Sequence, residues 1–172
     1  SGNPYPNRVV LETDRRPPQE KPFRIITLEN EYLRILIDSF GRLSSVYDKE
    51  FDTELSAAPC NNFSMYKDVT PFYDAWELAP MYKEMPVALE NQASFEIIDN
   101  TTSFVRIKIT REINNSKLEQ YLEMRSQSRR IDFVTKIDWH EKHKILKVDF
   151  PLNIYTDEAV SDIQFGCIAP CS

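Results

Sequence analysis

Two short stretches carry residue types that could do chemistry, and the first is WHEKH at positions 139–143. The zinc pattern of metalloproteases needs two His residues four positions apart on one helix face, with a Glu between them. Here His140 and His143 are three apart, and the surrounding pattern predicts the end of a strand. Lys142 and Lys144 also disfavour a bound cation. We therefore expect no metal site here and predict a hairpin tip or an interface formed by Trp139, His140, Glu141 and His143.

The second stretch is FYDAWE at positions 72–77, which has the composition of a sugar-binding surface. Aromatic side chains stack on sugar rings, and carboxylates accept hydrogen bonds from hydroxyl groups. Asp74 and Glu77 could form a retaining-glycosidase pair only with their carboxyl groups about 5 Å apart across a cleft. The alternative is an aromatic loop that packs on its own domain. The residues that could face a substrate or a neighbouring domain are Tyr73, Asp74, Trp76 and Glu77.

No other motif completes a catalytic centre. The sequence has three glycines and no Gly-rich phosphate loop, and no motif anchors a Ser-His-Asp or Cys-His arrangement. We therefore assign no catalytic residue to this chain.

The elements that would position these residues read as β-strands. Apolar residues or Thr occupy the odd positions from Ile131 to Trp139, and a second alternation runs from Leu146 to Leu152. Side chains alternate between the two faces of a strand, so the pattern predicts a hairpin across residues 140–143 with one apolar face. Such a face needs a second layer. We predict an all-β antiparallel sandwich.

Further alternations predict the other strands at 25–28, 33–37, 43–47, 63–66, 95–98, 105–109, 117–124 and 159–165, with a short candidate at 76–82. Asp38 to Gly41 supplies turn chemistry. No segment has sustained helical spacing, so we expect almost no helix. Five prolines in residues 1–22 indicate a linker or strap, with one candidate short strand at 9–11. We predict two parts: 1–23, linker or strap, and 24–172, sandwich domain.

Composition excludes several classes of partner. Among 172 residues the net charge is −6 and no basic stripe occurs, so nucleic acid is not expected. No apolar run reaches the roughly 20 residues of a membrane span. Three irregularly placed cysteines fit free thiols in a reducing compartment, which predicts a cytoplasmic protein.

Six motifs follow one another along the chain: ITLENEYLR from Ile26, LSSVYDKE from Leu43, YDAWE from Tyr73, RRIDF from Arg129, DWHEKHKILKVDFP from Asp138 and IQFG from Ile163. In wording and order they resemble the C-terminal β-domain of the α-mannosidases of glycoside hydrolase family 38, in their bacterial and cytosolic branch. The sequence departs from the family at Tyr73 and Glu77, where the family has Trp and Asp. It also has Cys167 where the family usually has His.

The resemblance implies a galactose-mutarotase-like supersandwich that packs on a catalytic barrel and helps to wall a substrate cleft. In the family, the barrel holds the zinc, the nucleophile and the acid/base, and it hydrolyses α-mannosides with retention. It implies no cofactor in this chain, an inactive isolated domain and α-mannoside glycans as ligands of the full enzyme. A stand-alone carbohydrate-binding module and a purely structural scaffold remain alternatives. We also expect self-association through an exposed barrel-facing surface.

Overall fold

A computed structural model describes residues 10–13, 25–69, 78, 81–89, 91–156, 161–163 and 166–168, with only the backbone of the first and last two ranges. Within these residues the fold is built of antiparallel strands, and one 3₁₀ turn at Tyr82–Glu84 is the only helical element. The strands are β1 Val10–Thr13, β2 Ile26–Glu29, β3 Leu33–Ile37, β4 Leu43–Asp48, β5 Thr53–Glu54, β6 Asn62–Lys67, β7 Pro86–Val87, β8 Ser94–Asn100, β9 Phe104–Ile113, β10 Ser116–Arg125, β11 Ile131–Asp138, β12 Lys144–Asp149, β13 Ser161–Ile163 and β14 Gly166–Ile168.

One layer of the sandwich is the sheet β1-β2-β3-β4-β5, in which each strand pairs with the next. The predicted turn between β3 and β4 is confirmed: the Gly41 amide donates to the Asp38 carbonyl at 2.9 Å, and Gly41 has a φ of 78°. β1 is the edge strand and pairs with β2 in register Val10 to Glu29. Part of the Pro-rich segment therefore forms an edge of this sheet.

The second layer is the sheet β11-β10-β9-β8, and its inner face packs on β2, β3 and β4. Both layers contribute the alternate residues that the sequence marks as apolar, so the predicted sandwich is confirmed. The core contains Ile26, Leu28, Leu33, Ile35, Ile37, Leu43, Val46, Cys60, Val105, Ile107, Ile109, Leu122 and Met124, all buried.

The predicted hairpin of β11 with β12 is wrong. β11 pairs with β10, whereas β12 pairs with β6 in a separate sheet, β12-β6-β7. An alternating pattern determines which face of a strand is apolar, but it does not specify which strand pairs with it. The connection from Asp138 to Lys144 is not a tight turn; it crosses from one sheet to the other.

The C-terminal part differs in detail from the single strand predicted at 159–165. The described residues form two short antiparallel strands, β13 and β14, with Ser161 opposite Ile168. Of the strand predicted at 76–82, Tyr82 instead starts the 3₁₀ turn. The described residues contain no helix long and apolar enough to span a membrane.

Candidate functional site

The four aromatic and acidic candidates of the FYDAWE stretch, Tyr73, Asp74, Trp76 and Glu77, lie outside the described residues. Their role at a substrate or domain surface stays a prediction.

The WHEKH stretch forms the connection between β11 and β12. Trp139 is 39% exposed, and the exposed imidazole of His140 lies 3.0 Å from the carboxylate of Asp138. His143 is exposed and has a φ of 49°. Among the described residues, no group of three or more His, Cys, Asp and Glu side chains could hold a metal ion.

Glu141 differs from its neighbours because its side chain points inward and is buried. It accepts hydrogen bonds from the Asn115 amide and the Asn114 side chain, both at 2.7 Å, and from the Lys144 ammonium. The contact with Lys144 is the main reason that its pKa falls to about 2; burial opposes the shift, and the asparagine contacts add to it. Glu141 therefore anchors the connection to the β9–β10 turn, and an interface formed by this connection would use its exposed neighbours.

A groove of about 290 Å³ separates β11 from β12. One wall carries Phe133 and Ile137, and the other carries Leu146, Val148 and Phe150. These are the residues whose alternation predicts an apolar face, yet Ile137 and Val148 are each 44% exposed. The inner face of the sandwich is thus left open along this edge. An apolar surface of this kind is typical of a docking face.

The floor of the groove is polar. Asn61 and Gln120 are both buried and exchange hydrogen bonds between their side-chain amides, at 2.7 and 3.1 Å. Gln120 also donates to the Thr135 hydroxyl at 3.0 Å, and Asn61 donates to the Gly41 carbonyl at 3.2 Å. The network gives every side-chain nitrogen and oxygen atom of both amides a hydrogen-bond partner inside an otherwise apolar layer.

Sequence reasoning also missed Arg111, a charged residue whose side chain faces inward. It occupies the core row of β9 between Ile109 and Ile113, and it is 6% exposed. The signal was present, since a charged residue interrupts an apolar alternation at that position. Asn61 gave no comparable signal because it precedes its strand.

The chain is similar to known proteins along most of its length. Residues 28–169 match the glycosyl hydrolases family 38 C-terminal domain. The chain is 30% identical to alpha-mannosidase 2C1 of Homo sapiens over 165 residues, which is 92% of this chain and 15% of the human protein. It is 29% identical to alpha-mannosidase G of Dictyostelium discoideum over 151 residues, 83% of this chain and 14% of that protein.

The chain thus spans about 15% of the length of these relatives. The family match covers well over half of the chain, and the antiparallel sandwich agrees with the fold that the motifs imply. This chain belongs to the family of C-terminal domains of the family 38 glycosyl hydrolases.

Proposed function

We propose that this chain is the non-catalytic β-sandwich portion of an α-mannosidase. In this proposal the complete enzyme hydrolyses α-mannosides with retention of configuration, through a catalytic barrel elsewhere in the polypeptide. Support comes from the family match and from relatives named alpha-mannosidases that are six to seven times longer than the matched region. Zinc is bound by the barrel, and this chain contributes no ligand to it.

The open groove between β11 and β12 supports docking to another domain, because its half-exposed apolar side chains form a surface on which a neighbouring domain could pack. Ile137 and Val148 line it on opposite walls. Burying a fully exposed Ile or Val side chain contributes roughly 1.5–3 kcal/mol, so covering one that is half-exposed contributes about half of that. We assign this groove to contact with the catalytic portion, and we place Tyr73, Asp74, Trp76 and Glu77 at the barrel or the substrate cleft.

The docking assignment can be tested with two aspartate substitutions on one strand. Ile137→Asp changes the groove wall, while Val134→Asp changes the outer face of β11, where Val134 is 49% exposed. In the complete enzyme, Ile137→Asp should reduce the yield of folded protein or the hydrolysis of p-nitrophenyl α-mannoside at least about tenfold. Val134→Asp should leave both near the wild-type level. Equal effects of the two substitutions would contradict the assignment.

The enzymatic proposal has its own test, the activity of the unmodified complete enzyme. Failure to release mannose from any α-mannoside would refute it without bearing on the docking face. Substitution of Asp74 by Ala in that enzyme separates a cleft role from a scaffold role, because a scaffold predicts unchanged turnover. Binding of mannose by the isolated chain at millimolar concentration or tighter would instead support a stand-alone carbohydrate-binding module.

We also propose a cytoplasmic location and a capacity for self-association of the isolated chain. The buried Cys60, which is a free thiol, supports a reducing compartment. Burial raises the pKa of this thiol, which keeps it protonated and unreactive.

A further inference from the structure

Arg111 is a buried cation that lies outside the groove and has no role in the proposed function. Its guanidinium stacks on the ring of Phe63, with 4.7 Å from the central carbon to the ring centroid, and donates a hydrogen bond to the Gly41 carbonyl. Its Nε is buried and has no hydrogen-bond partner among the described residues. A buried charge without an anionic partner is unfavourable, so its retention calls for an explanation.

Burial lowers the pKa of Arg111 to about 10; the charge of Asp38 opposes this shift and that of Arg42 adds to it. The side chain is thus still a cation at neutral pH. Burial alone does not neutralise it.

The nearby acidic groups do not pair with Arg111. Asp38 is engaged by Arg42, whose Nε lies 2.8 Å away, and by the amides of Phe40 and Arg42. Glu112 is the next residue along β9; it is exposed and lines the same cavity as Arg111 without pairing with it. Within the described part of the chain, neither carboxylate forms an ion pair with Arg111.

Arg111 lines an open cavity of about 340 Å³, which we call the Arg111 pocket. Its lining includes two arginines, two aromatic rings, two amides and one exposed carboxylate, contributed by Arg42, Arg111, Phe40, Phe63, Asn62, Asn91 and Glu112. Arg42 stacks on Phe40 at 4.9 Å as Arg111 stacks on Phe63. A volume of this size is in the range of small-molecule sites.

We propose that the Arg111 pocket binds a carboxylate group, with Arg111 as the main ligand and Arg42 and the two asparagines at its rim. A guanidinium offers planar pairs of N–H donors that match the two oxygens of a carboxylate. A single negative charge balances Arg111, which forms no ion pair within the described residues. A phosphate dianion would add a second charge beside Asp38 and Glu112, which disfavours it.

The carboxylate has two possible sources, a small organic acid and an acidic side chain of the polypeptide. Glucuronate and benzoate serve as probes for the first source, and glucose and benzamide serve as their neutral counterparts. The Nε–H resonance of Arg111 in a ¹⁵N-labelled 172-residue chain reports on the site, and its disappearance in Arg111→Lys identifies it. Calorimetry at constant ionic strength gives the affinity.

We expect at least one carboxylate probe to shift this resonance and neither neutral counterpart to do so. Arg111→Lys and Arg111→Gln should weaken binding about tenfold or more, because each loses a charged hydrogen bond in a buried site. Lys136→Gln removes an exposed positive charge on the outer face of β11 and should leave the affinity unchanged. If both Arg111 variants fail to fold, Arg42→Gln replaces them in the comparison. Its affinity for the carboxylate probe should fall by less than about tenfold, because Arg42 lies at the rim of the pocket.

If the carboxylate comes from the chain itself, a different pattern of probe binding is expected. Glu90 is the acidic residue between Leu89 and Asn91, two residues that line the pocket, so it is the first to replace. If the chain supplies the carboxylate, the wild type excludes the probes and Glu90→Gln admits them. The proposal is overturned if neither protein binds a carboxylate below about 50 mM, or if the neutral counterparts bind equally well.

Discussion

Asn61 and Gln120, which are 59 positions apart in sequence, exchange a reciprocal pair of side-chain hydrogen bonds on the floor of the groove. The pair connects the segment before β6 to the middle of β10, and Gln120 extends it to Thr135 on β11. Two neighbouring strands of one sheet, β10 and β11, and the segment that leads into β6 of another sheet are thereby fixed in relative position. Buried polar networks of this kind contribute to a unique arrangement of a core only when they are fully satisfied.

Replacement of Gln120 by Met should therefore destabilise the chain, even though Met fills a similar volume in an apolar layer. The substitution leaves the Asn61 side-chain oxygen without its donor while that residue stays buried. An unsatisfied buried polar group costs about 1–3 kcal/mol. The free energy of unfolding from urea titration should fall by that amount, and Gln92→Met at an exposed position should change it by less than about 0.5 kcal/mol. Equal stability of the two variants would contradict a role for the pair.

Acid should weaken the attachment of the β11–β12 connection. The pKa of Glu141 in the folded chain is about 2, below its ordinary value of 4.5, so its contribution is fully present above pH 4.5 and is lost as the pH falls toward 2. Glu141→Gln should lower stability at neutral pH, and its difference from the wild type should shrink as the pH falls. Urea midpoints from neutral pH to about pH 2.5 measure this.

Two comparisons sharpen that experiment. Glu54, whose pKa is also about 2 because hydrogen bonds from Ser45 and Ser56 outweigh burial, remains in the variant, so some acid sensitivity should persist. Glu96→Gln removes an exposed carboxylate and should follow the wild-type curve. A constant offset between wild type and Glu141→Gln across the whole pH range would show that the charge of Glu141 is not involved.

Gly41 occupies a position that tolerates no side chain. Its φ is 78°, and a Cβ there would lie 2.7 Å from both Nη2 of Arg111 and Cγ2 of Ile109. Gly41→Ala should thus lower the free energy of unfolding by at least about 1–3 kcal/mol from backbone strain alone. The clash should also shift the Arg111 Nε–H resonance.

The neighbouring Ser39→Ala provides the control for this substitution. The Ser39 hydroxyl is buried and has no hydrogen-bond partner among the described residues, so its removal should be nearly neutral. If Gly41→Ala were as stable as Ser39→Ala, the close approach of Gly41 to Arg111 would have no energetic importance.

The sequence predicts the strands well and their partners less well, for a physical reason. The alternation of Leu33, Ile35 and Ile37 identifies both the strand and its buried face, and Asp38 to Gly41 specify the turn that fixes its partner. No comparable turn follows β11. There the partner depends on a long-range contact, Glu141 with the β9–β10 turn, and such contacts leave no local signature.

The candidate sites also divide into features with a local sequence signal and features that depend on long-range contacts. The unsuitability of WHEKH for metal can be argued from spacing alone, whereas the burial of Glu141 cannot, because a Glu at a predicted tip is normally exposed. Arg111 was detectable as a charge in an apolar row. That Arg111 has no ion-pair partner in the described part of the chain depends on how Asp38 and Arg42 are arranged in space.

The exposed wall of the groove leads to a prediction about the isolated chain, which should self-associate. Ile137, Val148 and Phe150 are each more than 40% exposed and lie around one apolar groove, so pairing of two copies would remove them from water. The mass from light scattering should increase with protein concentration. Val148→Lys should shift the chain toward monomer, since a lysine on the apolar wall opposes its burial.

Val134→Lys, on the outer face of β11 across the groove, is the matched control and should associate as the wild type does. The melting temperature of a dilute, monomeric sample of Val148→Lys should stay close to that of the wild type, because the replaced side chain is already 44% exposed. A single monomeric species of the wild type at millimolar concentration would contradict the prediction. Association that both lysine variants weaken equally would place the contact elsewhere, since only one of the two residues faces the groove.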